Sequence, residues 1–414
     1  MARIPALKES SDIMLDFDVA QSRLASAGKL PDNIQTCSLD HACGRVLAQP
    51  LAAVLDLPPA DNSAMDGYAI RHTDCHPGKR FPVQQRCFAG QQPETLLPGH
   101  AIRLFTGSLI PPGADTVVMQ EDCTENDNTL EIQQLPAAGT HIRKRGEDVQ
   151  RGKILLPQGA RLSGAELALL ASQGYAEVPV FSKLKVGVLT TGDELVAPGE
   201  ARGEEQIYNS NAPMLAALAG NMGADVHRIM HAADNEDALQ AALATLLDEC
   251  DLVLTAGGVS VGEKDLVKPA IERFGGKLDL WRVCMKPGKP VALAHVGHKP
   301  IICLPGNPVS AFVVFTVLVT PLIRTMQGRK DVFPPIQYGR LDTAKKFNDT
   351  REEFIRVRAE FTARGENRLS PYALQGSGII SSLPWATGLA RIPANIPVAD
   401  HDIVRYYDLS QWLD

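Results

Sequence analysis

Three stretches decide the reading of this chain: KVGVLTTGDEL (Lys185–Leu195), DLVLTAGGVSVGEKD (Asp251–Asp265) and IICLPGNPVSA (Ile301–Ala311). Each begins as an apolar, β-type run and breaks into a glycine-bearing loop. In an open parallel sheet, ligands bind outside the carboxyl ends of the strands. Glycines at that edge let backbone N–H groups approach an oxyanion, and the N-terminus of a following helix adds partial positive charge. Between the second and third loops lies MKPGKP (Met285–Pro290), which adds Lys286 and Lys289. Carboxylates, ammonium groups and bare backbone donors in one crevice suit a phosphate-bearing ligand and a divalent metal.

The individual residues carry that expectation unequally. Gly257, Gly258 and Gly262 make the second loop rich in accessible donors, Ser260 adds a hydroxyl, and Asp265 offers a ligand to Mg²⁺. An isolated Gly-Gly is more often a steric device, but two matching loops reverse that preference. The string is neither GxxxxGK[ST] nor GxGxxG, which argues against a Walker ATPase and a standard dinucleotide site. In the third loop, Pro305, Gly306 and Asn307 precede a helix opened by Pro308. Asn307 serves equally well as an N-cap or, with Ser310 and the first-turn amides, as a phosphate contact. Asp193 and Glu194 lie just past a strand; two adjacent acids are more often a solvated turn, and their place at the expected sheet edge strengthens the case for metal binding. The Pro-Gly between Lys286 and Lys289 predicts a tight turn aiming both at one side, toward an anion.

With 414 residues, the chain is too long for one ordinary core. At 44% hydrophobic and 21% charged residues it reads as globular and soluble. A formal net charge of −7 and 5% aromatic residues argue against nucleic-acid binding, so any anion site is a local basic patch. Eight cysteines without a CxxC pair predict neither a zinc site nor a disulfide framework, and a reducing cytoplasm. The N-terminal stretch lacks the order of a secretory signal. The most apolar run, Val309–Ile323, is shorter than the roughly 20 residues that cross a bilayer, so a helix buried behind a sheet is expected and no membrane association.

The texture of the chain changes four times. A helical period marks Ile13–Ala27. From Gly44 to Pro136, short apolar runs separated by Pro, Gly and Asn predict a β-rich domain. Thr140–Leu156 reads as a strand pair around KRGEDV, and Ser163 with Glu166 forms a capping box. Strands and helices then alternate from Leu184 to about Gln327, which predicts a doubly wound α/β unit. After Pro334 the pattern is β again, and FIRVRAEF (Phe354–Phe361) alternates with Ile355, Val357, Ala359 and Phe361 on one face. The expected fold is therefore multidomain α/β plus β. Its domains are 1–43 with 137–183 (helical and linking), 44–136 (β-rich), 184–330 (α/β) and 331–414 (C-terminal, β).

The β-rich part holds further polar turns: DNSAMDGYAIR (Asp61–Arg71), FTGS (Phe105–Ser108) and RKRGED (Arg143–Asp148). Taken singly these are ordinary turns and ion-pair clusters. In series with TTGDEL, TAGGVSVGEKD, MKPGKP and LPGNPVSA they span nearly the whole chain. That series resembles the molybdopterin molybdenumtransferase (MoeA-like) family, which includes the E domain of gephyrin.

The resemblance implies four domains and a homodimer whose active site lies between the α/β unit of one subunit and the β-rich domain of the other. It implies a molybdopterin-adenylyltransferase-like α/β unit and a C-terminal domain resembling a β-barrel. The implied reaction takes molybdate and adenylylated molybdopterin to molybdenum cofactor and AMP, assisted by Mg²⁺. Glu194 and Asp265 would hold the metal, and Lys286 and Lys289 would stabilise phosphate oxygens. Asp61, Thr106, Arg143 and Asp148 would complete the site from the other subunit, and Ser377 in QGSG would approach it from the C-terminal domain. Implied partners are a molybdopterin adenylyltransferase and downstream cofactor-accepting proteins. Ala60 and Arg282 depart from the family's usual aromatic and lysine at those positions and touch only fine contacts. An adenylyltransferase using ATP and a non-catalytic scaffold are the competing readings. Molybdate or tungstate preference is not written in the sequence.

Overall fold

The computed structural model describes residues 14–258, 266–363 and 365–414. Ser260, Gly262 and Asp265 therefore lie outside the described residues. The chain divides into two units. One is Met1–Gln49, Gln158–Ser163 and Glu177–Asp414; the other is Pro50–Pro157 with Gly164–Ala176.

The first unit opens with α1 (Phe17–Ser26). Its sheet region runs β1 (Lys185–Thr191), β2 (Leu195–Val196), β3 (Ile207–Tyr208), α2 (Asn211–Asn221), β4 (Asp225–Ala232), α3 (Glu236–Glu249) and β5 (Leu252–Ala256). It continues through α4 (Val267–Arg273), β6 (Lys277–Arg282), β7 (Met285–Lys286), β8 (Pro290–Val296), β9 (Lys299–Leu304) and α5 (Pro308–Val314). Six of these strands form one sheet in the order β4-β1-β5-β9-β8-β6. The first four are parallel, and β8 and β6 extend the sheet antiparallel.

Successive strand residues point to opposite faces, and both faces here are covered. Val186, Val188, Leu254 and Ile302 share a core with Phe17 and Leu24 of α1, Leu215 of α2 and Val309 of α5. Leu189, Val253, Ile301 and Cys303 pack on the opposite side with Leu243 and Leu246 of α3 and Ile271 of α4. Double coverage is the reason DLVL and IICL read as unbroken apolar runs. Gly187 permits the close approach of α3, since a Cβ there would sit 2.8 Å from the Leu246 side chain.

The edges were not announced by the sequence pattern. β4 is an edge strand with His227, Arg228 and Ile229 exposed, so it shows no apolar run. The β6–β8 extension turns a purely parallel expectation into a mixed sheet.

The helix begun at α5 continues to Met326; it is long and apolar enough to cross a membrane, and 94% of its most apolar stretch is buried inside the unit. Pro321 has no N–H to give the Val317 carbonyl one turn back. The side-chain amide of Gln21 on α1 donates to that carbonyl at 2.6 Å.

The C-terminal strands β10 (Gln337–Leu341), β11 (Glu352–Phe361), β12 (Asn367–Pro371), β13 (Gly388–Ile392) and β14 (Ile403–Asp408) close into a barrel. Closure arises because β13 pairs with both β14 and β11. It also corrects the simple alternation expected for β11. Phe354, Ile355, Arg356 and Val357 are all buried, while Phe361 is 75% exposed. The inner face of β11 fills the barrel, and Phe354 on its outer face packs on Phe17 and Tyr407.

In the second unit, six strands are ordered Thr116–Met119, Gly67–Ile70, Ala101–Leu104, Arg80–Cys87, Thr129–Ile132 and Cys123–Asn126. The strand pair expected around KRGEDV does not form. Ile142–Arg143 pairs instead with Asn62–Ser63, and Ile154–Leu156 pairs with Leu51–Ala52. Both partners are distant in sequence, and hydrogen bonding to them satisfies backbone groups that a local hairpin would have paired.

Candidate functional site

The loops after β1, β5 and β9 leave one edge of the sheet side by side, because the three strands are neighbours in register: Thr190 pairs with Ala256, and Ala256 with Leu304. Contact between them is close. Gly257 has φ +100°, and a Cβ there would lie 2.7 Å from the Thr191 carbonyl oxygen. Gly258 has φ +67°, and a Cβ would overlap Val267 at the start of α4. A Cβ on Gly306 would stand 3.8 Å from the Gly257 Cα. Glycine at 257 and 258 is thus a steric requirement of this edge.

A second layer braces the loops. Asn211, at the start of α2, donates to the Gly306 carbonyl at 2.7 Å. Asn209 donates to the Thr190 hydroxyl at 2.8 Å and accepts from the Ala212 N–H at 3.1 Å. Thr191 donates to the Asp234 carboxylate at 2.6 Å, and the Asp193 carboxylate accepts from the Asp234 N–H at 3.0 Å. Asn209, Asn211 and Asp234 escaped the sequence reading; the NSN triplet ahead of a helix was the available signal. The buried Oδ1 of Asn211 and Oγ1 of Thr255 have no hydrogen-bond partner among the described residues.

The predicted residues of the first unit fall out as follows. Glu194 is exposed and its carboxylate lies over Gly192, where a Cβ would meet it at 2.5 Å. Asp193 is structural by its bond to Asp234. Asn307 occupies the N-cap position of α5 without a side-chain cap bond, and it is exposed. Pro305 and Ser310 are buried beside it. Among the described residues no group of three or more metal-ligating side chains exists, and of the carboxylates at this edge Asp193 and Asp234 are engaged in loop hydrogen bonds. Mg²⁺ keeps several waters and uses one or two carboxylates with phosphate oxygens, so the exposed Glu194 fits it.

Lys286 and Lys289 have different surroundings. Lys289 is exposed, whereas the Lys286 ammonium lies 2.9 Å from both Asp349 and Glu353. The cause is β7, which pairs with β11 and carries Lys286 to the barrel. The Glu353 and Asp349 carboxylates raise the Lys286 pKa. Reciprocally, Lys286 and the Arg351 N–H hold Asp349 down at about 2. A cavity of about 250 Å³ opens here, lined by Lys286, Lys345, Glu353, Arg356, Gln375 and Gly376 among others. Arg356 is fully buried and donates to the carbonyls of Gln375 and Gly376 at 3.1 Å each, which shapes the QGSG loop. Ser377 follows in that loop, half-buried. Burial pushes the Arg356 guanidinium down to about 10. Neither Arg356 nor Asp349 was singled out from sequence, because Arg356 sits inside an alternating β run and Asp349 in the short loop before it.

In the second unit, Asp61, Thr106, Arg143 and Asp148 are brought together by interlocked loops. Ser63 donates to the Ser108 carbonyl and Gly107 to the Ser63 carbonyl. Arg143 pairs with Asn62, and the Asp148 N–H donates to Leu57. Asp61 accepts from the Arg145 N–H and the Lys144 ammonium, both at 2.9 Å, and these two bonds lower its pKa. The Thr106 N–H and hydroxyl both donate to Asp66, at 2.7 and 2.8 Å, which lowers that pKa too. Arg145 also binds Asp56 at 2.7 Å. Arg143 and Asp148 remain exposed.

Comparison with known proteins matches residues 15–174 to the MoeA N-terminal region (domain I and II). Residues 187–325 match a probable molybdopterin binding domain, and 338–409 the MoeA C-terminal region (domain IV). The chain is 38% identical over 372 residues to a Haemophilus influenzae protein named molybdopterin molybdenumtransferase, covering 89% of this chain and 92% of that one. It is 36% identical over 382 residues to a protein of the same name from Synechococcus elongatus, covering 90% and 93%. The crystal structure of the molybdopterin biosynthesis moeA protein from Pyrococcus horikoshii OT3 aligns with a TM-score of 0.81 at 28% identity, over 95% of this chain and 100% of that one.

Proposed function

The chain belongs to the molybdopterin molybdenumtransferase family, a family of molybdenum cofactor biosynthesis, and on that premise we propose that it inserts molybdenum from molybdate into adenylylated molybdopterin and releases AMP. The observation that carries this reading is the convergence of the β1, β5 and β9 loops, where Gly257 and Gly306 bring bare backbone against one another. Peptide N–H groups and the start of a helix favour phosphate oxygens there. Lys289, exposed near the same strands, supplies a mobile positive charge.

Glu194, together with Asp265, would hold Mg²⁺, which when bound neutralises charge at the pyrophosphate. Molybdate, a tetrahedral dianion, suits the cavity beside Lys286 and Lys345. The dithiolene of the pterin supplies sulfur to the metal, so protein thiols are not required.

Asp61, Thr106, Arg143 and Asp148 would act on the substrate bound by a second copy of the chain, so the working form is a homodimer. In the cytoplasm the protein would receive its substrate from a molybdopterin adenylyltransferase and pass cofactor to the enzymes that use it.

Purified protein given adenylylated molybdopterin, molybdate and Mg²⁺ should release AMP in step with cofactor formation, and should sediment as a dimer. Absence of AMP release under those conditions would sink the reaction. ATP consumption with plain molybdopterin would point to the adenylylating enzyme instead.

A further inference from the structure

A cavity of about 340 Å³ lies beside the segment that follows β1, next to the edge strand β4 that carries His231. Its wall is the loop that joins β2 to β3, and its lining includes Leu195, Val196, Ala197, Gln206, Asn209 and His231. Glu200 and Ala201 close it from the loop's far end. This volume is at the small end of ligand pockets and accommodates one bicyclic ring system.

The loop is held in shape from within. Ile207 donates to the Glu194 carbonyl at 2.8 Å and Asn209 to the Val196 carbonyl at 2.9 Å, which tie β3 to β2. Arg202 donates to the Gln206 carbonyl at 2.8 Å, and Gly203 donates to the Gln206 side-chain oxygen at 2.9 Å. With that oxygen engaged, the Gln206 amide NH₂ is its remaining polar end. The Thr190 hydroxyl stands 3.3 Å from His231 Nδ1, so Nε2 is the ring atom that can meet a ligand. Apolar walls thus come with an amide donor, an imidazole and the Glu200 carboxylate. Such a set suits a flat heterocycle with ring nitrogens and an exocyclic amino group: apolar side chains cover its faces, and the carboxylate and amide read its edge.

The cavity also neighbours the proposed phosphate edge through the chain and one hydrogen bond. Leu195 and Val196 directly follow Glu194, and Asn209 in the cavity wall holds Thr190, next to the Thr191 carbonyl that backs Gly257. One strand end, β1, separates the two. We propose that this cavity binds a nitrogen-rich fused bicycle at one end of the substrate, an adenine or a pterin, with the pyrophosphate crossing the end of β1 toward the glycine loops. This rests on the proposed substrate, adenylylated molybdopterin, whose two ends share that chemistry.

The test uses the full-length protein with AMP and 6-hydroxymethylpterin as separate calorimetric probes. Ala201→Trp fills the cavity from an exposed position, and Gln206→Ala removes the edge donor. One probe should bind wild type and weaken about tenfold or more in Ala201→Trp, and less in Gln206→Ala, with unchanged melting temperatures. Weakening confined to AMP identifies adenine as the occupant; weakening confined to the pterin identifies the pterin. The inference is overturned if neither probe binds wild type, or if both variants bind as wild type does. Probe binding lost on filling the cavity, in a protein that never releases AMP from adenylylated molybdopterin, would leave the cavity assignment standing and remove the transferase reaction.

Discussion

The carboxylates of the two units do opposite work. In the second unit, Asp56, Asp61 and Asp66 each accept from a backbone N–H and from a neighbouring side chain, and all three pKa values are lowered. They fasten loops. At the strand edge of the first unit, Glu194 is exposed and takes no such bonds from the described residues, while its neighbour Asp193 does the fastening through Asp234. A carboxylate already saturated with donors is a poor ligand for an incoming cation, and one facing water beside bare peptide groups is a good one. The same residue type therefore separates, by its partners alone, into a loop anchor and a carboxylate left open to solvent.

The sharpest way to break this contrast is at the glycine that makes the edge. Gly257→Ala forces a Cβ against the Thr191 carbonyl in a conformation that L residues avoid. It should lower stability by about 3 kcal/mol in urea titration and abolish turnover. Wild-type stability would mean the loops are not in contact. Next comes Glu194→Gln, expected to slow AMP release about 100-fold with an unchanged melting temperature, because the shape is kept and no hydrogen bond to a described residue is lost. If the melting temperature falls and the rate holds, Glu194 is an anchor after all.

Asp61→Ala should behave differently, loosening the 144–145 turn by about 1 kcal/mol as well as reducing activity. Hydrogen exchange at the Arg145 amide reports the first effect. A loss of activity with that amide fully protected would make Asp61 a direct participant.

The smallest effect concerns pH. Asp349 sits below the usual carboxylate value, so its pairing with Lys286 contributes to stability above about pH 4 and is lost as pH falls through about 2. Lys286 is raised, so the same pair persists below its ordinary value near 10.4 and fails only in stronger alkali. Carboxyl NMR should place the Asp349 midpoint near 2, and Lys286→Met should return it toward about 3.9. An Asp349 midpoint unmoved by that change would show that Lys286 is not its partner.

Much of this was legible in the chain. KVGVL, DLVL and IICL announced parallel strands buried on both faces, and the glycines after them announced a close-packed edge, because apolar periodicity and backbone permissiveness are local properties. The apolar run before Met326 read correctly as a core helix. Strand β4 did not show, since an exposed edge strand need not be apolar, and the β-pairing of Ile142–Arg143 with Asn62–Ser63 did not show, since it joins residues far apart in sequence.

The sequence by itself determined which apolar runs are strands buried on both faces, where glycine is obligatory at their edge and which acids and lysines are available for chemistry. Only the tertiary structure decided how those charges are spent. Lys286, expected to aim with Lys289 at one anion, is held by Asp349 and Glu353 through the pairing of β7 with β11, and Arg356 became the clamp of the QGSG loop. A charge's role depends on what stands within about 4 Å of it, and those neighbours are brought in by chain segments many residues away.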